Sequence, residues 1–137
     1  MEETLPVQSI ETFLDFLKQY IELQIDEVVT AAAVLKRFIS KQTDKNIRIL
    51  NKSTVGTVLV CLVMITLKGF RENIHKNFLW ANWFGMDLKA LNESEISFLR
   101  LLDYQLWVQE EEYNNIYNDI LKDEEIKSEE LKIYISN

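Results

Sequence analysis

The hydrophobic residues of this chain recur at intervals of three and four, which is the spacing of one face of an α-helix. The first such stretch begins near Ser9, whose hydroxyl suits a helix N-cap, and its apolar face comprises Ile10, Phe13, Leu14, Leu17 and Ile21. The second covers residues 26–40, and its apolar face comprises Val28, Ala32, Leu35 and Ile39. These patterns predict two amphipathic helices, the second followed by a polar loop over residues 41–51.

Residues 53–70 form the most apolar segment of the chain and are hydrophobic on nearly every face. Their many β-branched side chains would also suit a β-strand. The segment runs for 18 residues without a turn signal, whereas strands usually have about 5 to 6 residues. The length therefore favours a central helix that the other elements surround.

The fourth predicted helix has two candidate starts. Asn92 and Glu95 have the spacing of a capping box, with Leu91 and Ile96 placed as a hydrophobic staple, and Asp87 is an alternative N-cap. From either start the pattern predicts a helix with a wide apolar stripe, which comprises Ile96, Phe98, Leu99, Leu101, Leu102 and Leu106.

Aromatic residues crowd the connection over residues 78–85, where Gly85 is expected to end a short helix in a left-handed cap. A short extended piece around Trp107 precedes the fifth helix, whose acidic first turn suits the positive end of the helix dipole. The apolar face of that helix comprises Tyr113, Ile116, Tyr117, Ile120 and Leu121.

Five helices around one apolar helix predict an all-α fold with a single core. Glycine and proline together make up four of the 137 residues, so turns and kinked strands have little raw material. We expect one domain over residues 1–127 and a C-terminal tail over residues 128–137 that either packs back or extends freely.

The chain has one cysteine, Cys61, and no charged-then-apolar leader at its start. Its longest uncharged apolar run, residues 55–67, has 13 residues, fewer than the roughly 20 needed to cross a bilayer. We therefore expect an intracellular protein of the cytoplasm or nucleus that has no membrane partner.

The formal net charge of −7 is unevenly distributed, since nine acidic and three basic residues follow position 108. A local basic stretch comprises Lys36, Arg37, Lys41, Lys45, Arg48 and Lys52. Nucleic-acid-binding proteins usually have a basic face and a basic pI, and the pI of this chain is about 4.8. Nucleic acid is therefore not an expected partner, and a solvated loop is the simplest explanation of the basic stretch.

An enzyme would need a nucleophile, a base and a site that holds an anion or a cofactor. His75 is the single histidine, and Cys61 lies in the most apolar helix, where its thiolate would be desolvated. The sequence has no metal-ligand spacing, and its three glycines are too scattered for a phosphate loop. We therefore predict no catalytic residues, no metal and no cofactor.

Two charged residues occur in otherwise apolar surroundings. Lys68 follows the most apolar stretch, so its aliphatic stem must run along buried surface while its ammonium reaches a polar partner. Glu95 lies in a helix whose stripe is otherwise apolar. Taken singly, Lys68 can be explained as a lysine that caps helix carbonyls, and Glu95 as part of the capping box.

Taken together, these residues resemble the cyclin box, and most closely that of the P/U-type cyclins of fungi and protozoa. Those cyclins share a run of the form LKELNxLExxFLxLLDFxL, and residues 88–106 here read LKALNESEISFLRLLDYQL. The register holds without a gap from Lys68 through Asn77, Trp80 and Gly85 to Tyr113. Weaker similarity extends back to Arg37.

The resemblance implies a five-helix cyclin box and a regulatory subunit that does no chemistry itself. In such cyclins the lysine and glutamate pair and hold main-chain groups at the start of the mobile αC helix of a kinase. Lys68 would then donate to kinase carbonyls and Glu95 would accept from kinase amides, with apolar contacts from Ile65, Leu99, Tyr104 and Leu106. The implied partner is a cyclin-dependent Ser/Thr kinase, and we expect the chain to be monomeric before it binds.

One alternative stays open from the sequence. A cyclin-fold scaffold, or a cyclin fold of the transcription-factor type, would bind a partner that is not a kinase. The chain also departs from the family after the lysine, because Gly69 stands where an aromatic residue is usual.

Overall fold

The computed structural model describes residues 17–51, 53–72 and 76–136. Within these ranges all regular secondary structure is helical, which confirms the predicted all-α class. The elements are a π-helical turn, Leu17–Ile21, and five α-helices: α1, Ile25–Asp44; α2, Val55–Phe70; α3, Asn77–Trp83; α4, Leu88–Leu101; and α5, Glu110–Ser136.

Helix α2 is the centre of the fold, and 11 of its 16 residues are buried. Helices α1 and α4 both pack against it and also contact each other. Thr66 is a buried polar residue of this helix, and its hydroxyl donates to the Leu62 carbonyl at 2.8 Å. The length argument for a central helix rather than a strand is confirmed.

Aromatic side chains join the surrounding helices to each other. Phe38 of α1 stacks on Phe98 of α4 with ring centroids 4.6 Å apart, and both side chains are fully buried. Trp80 of α3 is also fully buried and packs against Trp83 and Phe84. The aromatic connection thus contributes a large buried ring to the core, as its composition indicates.

The buried face of α1 differs from the predicted one by one residue. Val28 and Ile39 are 37% and 42% exposed, while the buried hydrophobic positions are Val29, Ala33, Val34 and Phe38. The physical reason is that α1 contacts three helices, α2, α4 and α5, so the buried positions of α1 are those that face these three neighbours. Ile96 of α4 was assigned to the core stripe in the same way and is 44% exposed.

Helix α4 begins at the alternative start. The carboxylate of Asp87 accepts the Ala90 amide at 3.0 Å, as an N-cap does. The capping box of Asn92 and Glu95 is therefore wrong, because both residues lie inside the helix and their side chains contact another helix.

Three helices end in the same hydrogen-bonded motif. Asn46, Gly85 and Asp103 follow the C-caps of α1, α3 and α4 with positive φ angles of 54°, 63° and 54°. In each case the next amide bonds back across the last turn, for example Tyr104 to the Leu99 carbonyl at 2.9 Å. These are Schellman motifs, and the left-handed cap predicted at Gly85 is confirmed.

The two ends of the chain are described in part. Leu17 and Ile21 are buried, as predicted, while the start of the first helix at Ser9 lies outside the described residues. Helix α5 begins with the three predicted acids and packs Ile116 against Val29 of α1. Its backbone stays helical through position 127, and the division of the chain at that position stays a prediction.

A buried ion pair ties the end of α2 to the start of α1. The guanidinium of Arg71 donates from Nε and Nη2 to the two carboxylate oxygens of Glu27, at 2.7 Å each. Arg71 also donates to the Ile21 carbonyl at 3.1 Å, and the Gln24 amide donates to Glu27 at 2.8 Å. Nothing in the local pattern of α1 indicates that Glu27 is buried.

Candidate functional site

Lys68 and Glu95 lie side by side, although 27 positions separate them in the chain. The Lys68 ammonium is 2.7 Å from Glu95 Oε2 and 2.7 Å from Asn77 Oδ1. Lys68 lies in the last turn of α2 and Glu95 in the middle of α4, so the packing of α4 on α2 brings the two charges together. The glutamate carboxylate is therefore engaged by the lysine and does not cap its own helix.

Asn77, at the start of α3, joins this pair into a network. Its amide nitrogen donates to Asn92 Oδ1 at 2.9 Å and to Glu95 Oε1 at 3.3 Å, while its oxygen accepts from Lys68. Sequence reasoning placed Asn77 in the family register but gave it no role in the site. Its place in the gapless register between Lys68 and Trp80 was the available signal.

The pair lies at the surface, with side-chain exposures of 37% for Lys68 and 15% for Glu95. An ammonium has three protons, and two of those on Lys68 are directed to Asn77 and Glu95. The third proton and the second lone pairs of the Glu95 carboxylate leave bonding capacity for groups of another molecule. Charge-assisted hydrogen bonds of this kind are about twice as strong as neutral ones.

Two of the predicted apolar residues lie on the helices that carry the charged pair, and two lie in the segment that follows α4. Ile65 is one turn before Lys68 on α2 and is buried, and Leu99 is one turn after Glu95 on α4 and is half-buried. Leu106 is half-buried in the segment after α4, whereas Tyr104 is 62% exposed. The docking surface, as we use the term below, comprises Lys68, Glu95, Ile65, Leu99, Tyr104 and Leu106.

An open cavity of about 400 Å³ lies between α1, the end of α2 and the segment after α4. Ile65 and Leu106 line it, and Leu99 and Tyr104 do not. The remaining lining residues are Thr30, Val34, Thr66, Gly69, Phe70, Trp107 and Val108. A side chain at Gly69 would have room here, because no atom lies within 4 Å of the position that its Cβ would take.

Two exposed aromatic residues at this cavity were not predicted as site residues. Trp107 is 81% exposed and Phe70 is 48% exposed, and both line the cavity. A large ring that stays in water gives up the free energy of burial, about 1.5 to 3 kcal/mol for a Phe. The signal in the sequence was that Trp107 lies outside every helical stripe.

Arg37 and two lysines of the basic stretch make tertiary contacts. Arg37 donates to the Gln105 carbonyl at 2.6 Å and to Glu112 at 2.9 Å. The ammonium groups of Lys41 and Lys45 lie 3.2 Å and 2.6 Å from the Asp103 carboxylate. The interpretation of these residues as a solvated loop is therefore wrong, because α1 extends to Asp44 and its basic side chains hold the segment after α4.

The remaining candidate chemistry is confined to Cys61. Burial and, to a smaller extent, the nearby Glu95 carboxylate raise the pKa of its thiol to about 12, against the lowering effect of Lys68. The thiol is therefore protonated at neutral pH, and a thiol is a much weaker nucleophile than a thiolate. His75 lies outside the described residues.

Within the described residues, no cluster of three His, Cys, Asp or Glu side chains could hold a metal ion. Nor does any helix there combine the length and the apolarity that crossing a bilayer requires.

A protein-family model described as Cyclin matches residues 3–106. Cyclin-U2-1 of Arabidopsis thaliana is 27% identical over 104 residues, which are 76% of this chain and 46% of that relative. The chain thus spans about half the length of the curated relative it matches. No solved structure matches the chain significantly. The family model covers the described helices α1 to α4, the Lys68–Glu95 pair and Leu106, so the chain belongs to the cyclin family, with similarity to its U-type members.

Proposed function

We propose that this chain binds a cyclin-dependent Ser/Thr kinase through the docking surface and activates it by positioning its αC helix. The observation that carries the proposal is the Lys68–Glu95 pair, at 2.7 Å on the surface of the cyclin fold. A surface ion pair by itself contributes about 0 to 1 kcal/mol to stability. A role in binding accounts better for a lysine placed at the end of so apolar a helix.

The pair offers donors and acceptors of opposite sign at adjacent points. Carbonyl groups of a kinase segment can accept from Lys68, and its amides can donate to Glu95, so one short stretch of main chain satisfies both. Asn77 holds the two side chains in place before the partner arrives, which reduces the entropy lost on binding. Truncating one member would leave the other desolvated and unpaired in the complex, at about 2 to 5 kcal/mol.

The cavity beside the pair accounts for the apolar part of the contact. Ile65 and Leu106 form its lining together with the exposed rings of Phe70 and Trp107. An apolar side chain from the kinase helix can enter this space and remove the rings from water. Tryptophan is among the residues that most often dominate the binding energy of protein interfaces.

The output of such docking is allosteric, because cyclins regulate and do not catalyse. In a protein kinase the glutamate of αC must pair with the lysine of strand β3 before phosphoryl transfer. A cyclin bound at the start of αC favours the inward position of that helix and thereby the active state. The cytoplasm or nucleus, where such kinases act, agrees with the compartment expected from the sequence.

The test uses purified wild-type chain and a panel of cyclin-dependent kinases, with binding measured by calorimetry. The variant Lys68→Ala/Glu95→Ala should lose binding to the kinase that the wild type binds. Lys89→Ala/Glu93→Ala is the matched control, since it removes the same two charges from exposed positions, both on α4, and should bind as the wild type does. Equal binding by both double variants would contradict the proposal and favour a scaffold that meets its partner elsewhere.

A further inference from the structure

The segment that follows α4 has an unusual backbone. Asp103 and Tyr104 have φ angles of 54° and 57°, so two successive residues with side chains adopt the left-handed conformation. Such residues are strained there, and glycine is the residue that adopts it freely. The hydrogen bonds of the Tyr104 amide to the Leu99 carbonyl and of the Gln105 amide to the Leu102 carbonyl, at 2.9 and 3.0 Å, close the turn.

Three cations, two on one face of α1 and one at its C-cap, contact this turn. Arg37, Lys41 and Lys45 are spaced by four residues, so their side chains follow each other along the helix. We call these three residues the basic clamp. All three reach the 100–105 segment, about sixty positions away in the chain.

The clamp contacts the turn at several points. Lys45 donates to the Asp103 carboxylate at 2.6 Å and to the Leu101 carbonyl at 2.9 Å. Lys41 donates to the same carboxylate at 3.2 Å, and Arg37 donates to the Gln105 carbonyl at 2.6 Å. Each contact is made to a residue within two positions of the two left-handed residues.

These contacts are too exposed to act mainly through global stability. The side chains of Lys41, Lys45 and Asp103 are 27%, 32% and 47% exposed, and surface pairs contribute little to the free energy of unfolding. The two ammonium groups nevertheless lower the pKa of the Asp103 carboxyl, so the carboxylate is charged and engaged at neutral pH. The contacts therefore act locally, on the conformation of the turn.

The turn leads directly into the exposed end of the docking surface. Tyr104 occupies the second left-handed position, and Leu106 and Trp107 follow it within three residues. All three residues lie outside any helix. Leu106 packs in part against the core, whereas the exposed rings of Tyr104 and Trp107 depend for their placement on the backbone of the turn, which the clamp contacts.

We propose that Arg37, Lys41 and Lys45 are positioning residues that hold the 103–105 turn and so fix Tyr104, Leu106 and Trp107 for kinase docking. The inference rests on the proposed function. Without the clamp, the strained turn is expected to sample other conformations while the helical core stays intact. The kinase would then have to order the segment on binding, which weakens affinity.

The first experiment needs no kinase. Amide hydrogen exchange of the Tyr104 and Gln105 N–H groups is compared between wild type and Lys41→Gln/Lys45→Gln, whose sequence around the two amides is unchanged. Removing these two members of the clamp should speed exchange there about tenfold and leave the amides of α2 unaffected. Lys36→Gln is the control, because Lys36 lies on the same helix with no ammonium partner among the described residues. Equal rates at the two amides in the clamp variant and the wild type would overturn the proposal.

The second experiment measures binding of these variants to the kinase that the wild type binds. Lys41→Gln/Lys45→Gln should bind about fivefold to tenfold more weakly, and Asp103→Gly should be similarly weak although glycine keeps the left-handed backbone accessible. Combining the three substitutions should weaken binding no further, because all three remove the same contacts between the clamp and the turn. Faster exchange with unchanged binding would overturn the positioning role.

The two proposals fail in different ways. A wild-type chain that binds no cyclin-dependent kinase would overturn the proposed function and, with it, the docking role of the clamp. Hydrogen exchange would still show whether the clamp holds the turn.

Discussion

The ion pair between Glu27 and Arg71 gives the sharpest stability prediction, because its two members differ in burial. The Glu27 side chain is 4% exposed and that of Arg71 is 30% exposed. Arg71→Ala removes both donors from a buried carboxylate, which keeps only the Gln24 amide at 2.8 Å. Glu27→Gln instead leaves a guanidinium that still donates to the Ile21 carbonyl at 3.1 Å and reaches water.

The expected magnitudes follow from this asymmetry. Breaking a buried pair from one side costs about 3 to 5 kcal/mol, and the remaining bond from Gln24 places Arg71→Ala near 3 kcal/mol at pH 7. Glu27→Gln keeps the shape of the side chain and leaves the half-exposed Arg71 guanidinium without a charged partner. We therefore expect the free energy of unfolding to fall by about 1 to 2 kcal/mol. Both are measured as the free energy of unfolding in urea, with the exposed Arg48→Ala as the control.

The pH dependence checks the cause. The hydrogen bonds from Arg71 lower the pKa of the Glu27 carboxyl below its ordinary value, so this group stabilises the wild type above that value and the stabilisation is lost as pH falls through the folded-state pKa. In Arg71→Ala the buried carboxyl can be protonated at higher pH, which relieves the unpaired charge. The stability difference between wild type and Arg71→Ala should therefore shrink as pH falls from 7 to 4. A loss below about 1 kcal/mol, or one that is the same at both pH values, would refute this reasoning.

Three further predictions concern the core and the turns. Phe98→Ala should lower the free energy of unfolding by about 3 to 5 kcal/mol, because the ring stacks on Phe38 and is fully buried; a loss under 2 kcal/mol in thermal or urea unfolding would contradict the packing. Gly85→Ala should cost about 1 kcal/mol, because φ is 63° and no atom crowds the new methyl group, whereas helical Gly69→Ala should be neutral or stabilising; the same sign for both would disprove the backbone argument. Cys61, whose pKa is raised to about 12, should resist a thiol reagent at pH 8 in the folded chain and react at once in urea; fast labelling without denaturant would show that the thiol is accessible.

Local patterns were enough to predict the helices but not which of their residues meet. The apolar run of α2 and the stripe at Tyr113, Ile116 and Ile120 fix helices whatever surrounds them. The burial of Glu27 depends on Arg71, which lies 44 positions away, and a periodic pattern within α1 cannot contain that information. For the same reason the predicted face of α1 was displaced by one residue.

The capping box failed for a related reason. Asn92 and Glu95 have the spacing of a cap, but their side chains engage Asn77 and Lys68 on other helices. Asp87 caps the helix instead, because its carboxylate accepts from the Ala90 amide in the first turn. Residues whose side chains bond to other helices are therefore the ones for which local rules give the wrong answer.

The charged pair itself was predicted from a family resemblance and not from spacing. Lys68 and Glu95 lie on separate helices, and only the fold brings them to 2.7 Å. The exposed ring of Trp107 was missed because a residue outside a helix has no periodic signal, and that of Phe70 because it ends a helix that is hydrophobic on nearly every face. The basic residues Lys41 and Lys45 were assigned to solvent because their partner, Asp103, is far away in sequence.

The central claim is that this member of the cyclin family activates a kinase through Lys68 and Glu95. The most direct measurement is the rate at which a cyclin-dependent kinase phosphorylates a peptide substrate as this chain is added in increasing concentration. Three forms of the chain are compared: wild type, Lys68→Ala/Glu95→Ala and the control Lys89→Ala/Glu93→Ala. The account predicts saturable activation by the wild type and the control. The Lys68/Glu95 double variant should need at least thirtyfold more protein, which corresponds to about 2 kcal/mol or more. Identical activation curves for all three proteins, or no activation by the wild type of any kinase it binds, would contradict the account.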